Sequence, residues 1–261
     1  KGQRSATVTV TPNSADVGTI IFNDPNAGVA TFASNITWAL VTAATGNTTG
    51  GQLINNGVKQ IIINGALTSG ATGTHNWVLD GSNTLTNTIA GIISNPTTSQ
   101  ATAVIKEGAG TWRLSGANTF TGTLIINNGT LELAGGAAIL DTVGVALNGD
   151  GGDGIFSGTA KLRIINSETI ATLTGDVLTE AEILAGQTLS ITGASSTMNG
   201  FFSGEGNLTR TVSSSTAATL TSSASNTYTG ITTIGATGGA TASAGMTIYY
   251  LANGGIASGV G

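Results

Sequence analysis

The chain has 261 residues, of which 8 are Lys or Arg and 13 are Asp or Glu, so 8% are charged where an ordinary soluble domain has about 25%. A net charge of −5 with scattered basic residues leaves no electropositive footprint for nucleic acid or an anionic membrane surface. Cysteine is absent, which removes disulfides, thiolate metal sites and cysteine nucleophiles together, and no apolar run reaches the roughly 18 residues of a membrane-spanning helix.

Forty glycines and three prolines, with abundant Thr, Asn and Ser, describe many turns between short strands. The glycines follow no triplet, which excludes collagen, and 39% hydrophobic residues are too many for a disordered tail. In chain order, strands are expected at 6–11, 19–22, 36–40, 58–63, 76–79, 103–105, 111–114, 124–126, 130–133, 143–147, 161–165, 170–173, 188–191, 207–211, 231–234 and 246–251. Each is rich in β-branched residues and bounded by Gly, Asn, Asp or Ser. The best helical window is Asp176–Leu184, and it also fits two short strands. Lys1 at the start, with no Met or export leader, reads as the edge of a processed product or fragment.

Repetition selects among all-β folds. Asn118-Thr-Phe-Thr-Gly122 returns as Asn226-Thr-Tyr-Thr-Gly230, and the pattern of Thr88–Ser94 returns at Thr197–Ser203, both at a spacing of about 108 residues. Within a unit, strand and turn signals come in threes over about 20 residues, the size of one coil of a parallel β-helix. A unit is then expected to fill about five coils. The whole chain would fill roughly 10–13, a rod on the order of 50–60 Å long. A solenoid also accounts for the missing charge, since outward positions need only β-compatible polar residues such as threonine. The expected organisation is an N-terminal β-rich segment, 1–87, running on into a β-helix, 88–261, with two degenerate units.

The stretch from Lys106 to Leu131 resembles the autotransporter-associated β-strand repeat, also called the passenger-associated transport repeat. Gly108, Gly110, Thr111, Leu114, Gly116, Asn118, Thr119, Thr121, Gly122, Gly129, Thr130 and Leu131 fall on its pattern, with Phe120 at a tyrosine position. Trp112 stands where leucine is usual, which calls for local repacking. A second, degenerate copy runs through Gly204–Arg210, Ala218–Thr221 and Asn226–Ile234, with Asn226, Tyr228 and Gly230 on the pattern and no glycine pair before its first strand. The resemblance covers about 88–240. It implies a right-handed parallel β-helix exported to the bacterial surface, with no catalytic residues.

Candidate chemistry is sparse. His75 has no second histidine for a metal site or triad, and reads as a polar position beside Trp77. Glu180 and Glu182 share one face if they lie on a strand, the arrangement for proton chemistry or a cation. Asp150 and Asp153 among glycines are weak calcium candidates, without the second loop copy that a calcium-binding β-roll needs. Arg113, Arg163 and Arg210 are widely and evenly separated with no matching acid, unlike a β-helix glycan-active enzyme. Trp38, Trp77, Trp112, Tyr228, Tyr249 and Tyr250 read as core or end-cap packing in preference to a sugar platform. The leading expectation is a non-enzymatic, surface-exposed or secreted passenger segment acting as stalk, adhesin or matrix component, with no cofactor and with self or cell-surface partners. The alternative is a self-assembling extracellular filament or sheath subunit, because low charge opposes lateral association weakly. A glycan-active enzyme stands third.

Overall fold

A computed structural model describes residues 8–10, 18–22, 29–32, 36–38, 49–69, 75–149, 158–193, 195–212, 218–236 and 244–248. These residues contain no helix; every pairing between their named strands is parallel. The chain visits three faces in turn and then returns one coil along, which makes a parallel β-helix.

The first face is one ten-stranded sheet: Gly18–Phe22, Thr49–Asn55, His75–Asp80, Thr102–Lys106, Leu124–Ile126, Val145–Leu147, Leu173–Gly175, Ser196–Met198, Ala218–Ser222 and Ala244–Ile248. The second face has eight strands: Val29–Phe32, Gln60–Ile63, Asn87–Ile89, Thr111–Leu114, Gly129–Leu133, Ala160–Ile164, Thr179–Ile183 and Phe201–Gly204. The third is split. Val8–Val10, Ile36–Trp38 and Leu67–Ser69 form one sheet, and Glu168–Ile170, Thr188–Ile191, Asn207–Val212 and Thr232–Ala236 form another.

Alternation places the core. Strands such as Ala160–Ile164 and Thr179–Ile183 bury every other side chain, as a two-residue side-chain period requires. Register then stacks like on like: Ile63, Ile89, Leu114, Leu133, Ile164 and Ile183 form one buried row inside the second face. Each such residue contributes about 1.5–3 kcal/mol on burial. The window Asp176–Leu184 is the strand Thr179–Ile183 with its turn, and the segment 170–173 is a corner between two strands on different faces. The alternating burial of Thr179, Ala181 and Ile183 suits extended backbone, and this period of two overrides the helix-forming Glu and Ala.

Coil length departs from the even spacing expected. Trp112 pairs with Leu131 across a short coil, whereas Leu131 pairs with Leu162, and Ile20 with Leu53, across much longer ones. The pleated strands keep register while the corners absorb insertions. Ten first-face strands give nine steps, about 43 Å at about 4.8 Å each.

The repeat unit falls one strand position short of five coils. The first copy places Asn87–Ile89 on the second face, Ile93 on the third through its bridge to Leu67, Thr102–Lys106 on the first and Thr111–Leu114 on the second. Their counterparts in the second copy are Ser196–Met198 on the first face, Phe202 on the second, Asn207–Val212 on the third and Ala218–Ser222 on the first. Every counterpart has stepped back by one face. From Asn87–Ile89 to Ser196–Met198 the chain crosses fourteen strand positions, where five three-sided coils would take fifteen.

Trp112 lies wholly inside, its indole Nε1 donating to the Asp80 carbonyl at 3.0 Å. Trp112→Ala is expected to cost about 3–5 kcal/mol through the cavity left behind. Trp112→Leu should cost less, because it refills most of that volume. Urea unfolding midpoints of the two variants check the order.

Candidate functional site

The repeat signature assembles where the third face is interrupted. Between Ile93 and Glu168 no third-face strand forms among the described residues, yet buried amides there still need partners. Asn118, 2% exposed, supplies them. Its Oδ1 accepts the Ile93 N–H at 2.7 Å, and its Nδ2 donates to the carbonyls of Gly116 at 3.0 Å and Ala138 at 2.6 Å. Thr119 N–H then donates to the Ile93 carbonyl. One side chain thus stands in for a rung of sheet. Glu168, also buried, repeats the device two coils on: Oε2 accepts the Ala138 N–H at 2.9 Å and Oε1 accepts the Ile139 N–H at 3.5 Å. Burial pushes the Glu168 carboxyl above its ordinary range, opposed by those two N–H bonds.

Asn226 does the same on the second face, past its last strand. Its Oδ1 accepts the Phe202 N–H at 2.8 Å while Thr227 donates to the Phe202 carbonyl. Phe120 and Tyr228, two residues after each asparagine, are fully buried, and the Tyr228 hydroxyl bonds Thr232 Oγ1. Tyr228 meets Phe202 edge-on, with ring centroids 6.1 Å apart. Thr119, Thr121, Thr227 and Thr229 alternate outward. Leu114 and Leu131 are core residues, and Thr111 faces outward beside them.

The signature glycines hold the corners. Gly108 has φ +60, and a Cβ there would collide with Asp80 Oδ1; Gly129 repeats the positive φ one coil on. Gly116 lies against the carbonyl of Gly91, which leaves no room for a Cβ. Gly110, Gly122 and Gly230 likewise pack against backbone carbonyls of the preceding coil. Lys106, inward and fully buried, closes the same corner, its Nζ donating to the carbonyls of Glu107, Gly108 and Asn128. Burial lowers its pKa to about 8, against the pull of Asp80 and Glu107.

Titratable side chains gather outside on the second face, one coil apart. Register aligns Arg113, Glu132, Arg163 and Glu182 in one row, with Lys161 beside Glu180 in the next. Arg113 Nε donates to Glu132 Oε2 at 2.8 Å, and Arg163 Nη1 reaches Glu132 Oε1 at 3.4 Å. Arg163 Nε approaches Glu182 Oε2 at 2.8 Å without the alignment of a hydrogen bond. Lys161 Nζ lies 3.1 Å from Glu180 and 2.9 Å from Glu182. The expectation that these arginines lack acids is therefore corrected. Unequal coil lengths bring Arg113 and Arg163, distant in sequence, onto opposite sides of one glutamate. Glu180 and Glu182 do share a strand face, and each is neutralised by a cation.

Arg210 points inward instead, fully buried, donating to the carbonyls of Ile191 and Gly193 at 2.8 and 2.9 Å. His75 is likewise a buried inward residue two positions before Trp77, on a strand whose inner face is closed. Trp77, Trp112 and Tyr228 are core, so they offer no stacking platform. The side chain of Trp38 and all of Asp150, Asp153, Tyr249 and Tyr250 lie outside the described residues. Among the described residues no three His, Asp or Glu side chains are placed to hold a metal. A shallow groove lined by residues such as Val58, Ser82 and Leu85 carries no titratable side chain.

Fold and signature together define a three-sided parallel β-helix spliced by a buried-asparagine repeat. Residues 104–133 match the family model of the passenger-associated-transport-repeat. The match lies within the 88–240 stretch that resembles the family and covers part of it. No curated protein and no solved structure matches the chain.

Two outcomes follow from the splice. Asn118→Ala strands the Ile93 N–H and the Ala138 carbonyl and is expected to cost about 2–3 kcal/mol, while the exposed Thr119→Ala stays within about 0.5 kcal/mol; urea unfolding measures both. For Glu168 the raised carboxyl pKa means the folded chain holds more protons than the unfolded one from just above pH 4.5 upward to that pKa. Its contribution to stability therefore falls as pH rises through that interval. Glu168→Gln should remove this part of the slope when unfolding is followed from pH 4 to pH 7, and Glu168→Leu should lose about 1–3 kcal/mol at pH 7 by orphaning the Ala138 N–H.

Proposed function

We propose that this chain is a non-enzymatic segment of a secreted or surface-held bacterial passenger, acting as a rigid stalk or adhesive spacer. The observation that supports the reading is where the repeat's polar residues go. Asn118, Asn226 and Glu168 are consumed in joining one coil to the next, and the charged row on the second face is paired within itself. A catalytic site needs a base, acid or nucleophile turned toward substrate. Here the same groups are turned toward the backbone or toward each other. Such a chain transmits length and stiffness.

A second reading, a self-assembling filament, draws support from charge segregation. From Ala103 to Thr247 the outward positions of the first-face strands are Ala, Ile, Thr and Gly, so no like charge opposes lateral contact. Negative-stain images of the purified chain at low micromolar concentration separate the two. Isolated short rods are expected; fibres that lengthen with concentration would replace the stalk by the filament. Turnover of an anionic polysaccharide that disappears in a Glu182→Ala variant would overturn the non-enzymatic reading.

A further inference from the structure

Outward side chains on the first face fall into rows along the axis, because the sheet is parallel and its register carries no slip between neighbouring coils. One row reads Val78, Ile105, Ile125, Ala146, Thr174, Thr197, Thr221 and Thr247. Its second half is four threonines on four successive coils. Two residues earlier on the same coils stand Thr172, Ser195, Thr219 and Gly245, so three coils in a row carry hydroxyls in a Thr-x-Thr or Ser-x-Thr pair. Thr174, Thr197 and Thr247 are exposed and Thr221 is half-exposed, and none of these four hydroxyls has a partner among the described residues. In the flanking row Ser195 Oγ accepts the Thr219 N–H at 3.2 Å, which fixes the position of that hydroxyl.

The spacing is set by the fold. Neighbouring coils are about 4.8 Å apart, and residues i and i+2 of one strand about 6.6 Å apart. The result is a rectangular lattice of hydroxyls, nearly all of them beside a methyl group. Charged polymers have nothing to pair with here, since the outward positions carry no charge. A glycan sheet lacks the aromatic platform, since Trp77, Trp112, Phe120, Phe202 and Tyr228 are all buried. The lattice does match a surface whose own oxygens are spaced in both directions by nearly these intervals, namely a prism face of ice. Regular hydroxyls hold water in place through hydrogen bonds, and the intervening methyls favour a cage-like shell that merges with the crystal.

We propose that the threonine rows on the first face, from Thr172 to Thr247, bind ice. The proposal rests on that face alone and stands apart from the stalk reading. The third face also carries an outward row, Thr169, Ser190, Thr209 and Thr233, but three of its four members are only half-exposed, against one of four in the first-face threonine row, and its flanks include Asn207 and Ile231. It serves as the internal control.

The test is inhibition of ice recrystallisation, together with the gap between melting and freezing points, for purified chain 1–261. Comparison is with Thr197→Tyr/Thr221→Tyr, with the single Thr197→Lys variant and with Thr209→Tyr on the third face, with circular dichroism and thermal midpoints confirming that each is folded. The parent is expected to arrest crystal coarsening and to facet growing ice. Both first-face variants should lose that activity with the fold unchanged, and Thr209→Tyr should keep it. A parent that slows recrystallisation no more than serum albumin at equal concentration overturns the proposal. So does equal loss in the third-face variant, which would mark the effect as general to a threonine-rich surface. Should the double tyrosine variant fail to fold, Thr197→Lys alone decides the matter.

Discussion

In a stacked coil each backbone amide must find its partner on the coil before or after it, and everything else in this molecule accommodates that rule. Where a face offers a strand, the partner is backbone. Where the chain rounds a face without forming one, a buried N–H or C=O would be stranded at a cost of about 1–3 kcal/mol. Asn118 and Glu168 bridge the third-face gap, and Asn226 continues the second face beyond Gly204. Asparagine fits because a single amide presents an acceptor and donors in one plane, as a peptide group does. The aromatic two residues later fills the interior that a missing strand would leave empty.

The same rule governs the use of charge. Lys106 and Arg210 are buried with their donors on carbonyls at or beside the corners. On the second face the outward charges form a row in which the buried Glu132 is enclosed between two partly exposed arginines. The partly exposed pairs of Lys161 and Arg163 with Glu180 and Glu182 contribute little each, about 0–1 kcal/mol, whereas the buried Glu132 carboxylate depends on its arginines for compensation. What the row does secure is register, since a slip of one residue would turn Glu132 inward and Leu131 outward.

The all-β class, the parallel coil and the signature residues were legible in the sequence because they follow from short-range signals: β-branched pairs, Gly and Asn corners, and a recurring Asn-Thr-aromatic-Thr-Gly. Gly108 and Gly116 were marked only by the resemblance to the repeat; the positive φ of the one and the packing of the other on the Gly91 carbonyl come from the structure. Coil length was not, because corners absorb extra residues without disturbing the pleat, so that Glu132 meets Arg113 across a short coil and Arg163 across a long one. Glu168 was missed as well. Nothing local marks a glutamate at the start of a short strand as a substitute for backbone, although its place one coil beyond Ala138 would have exposed it had the coil lengths been known. Inward Lys106, Arg210 and His75 escaped for a similar reason: polarity suggests the surface, and only the alternation of the strand assigns the side.

The fourteen-position unit sets a phase between the written repeat and the built one. Each copy of the signature is turned back by a third of a circuit relative to the last, so three copies, or fourteen whole coils, bring it round to its starting side. A rod extended by duplicating such a unit grows like a screw thread: its length scales with copy number while its decoration precesses. A partner confined to one side would therefore find the signature on every third copy, and bending or shear set up by the asparagine splices would be shared among all three sides of the rod.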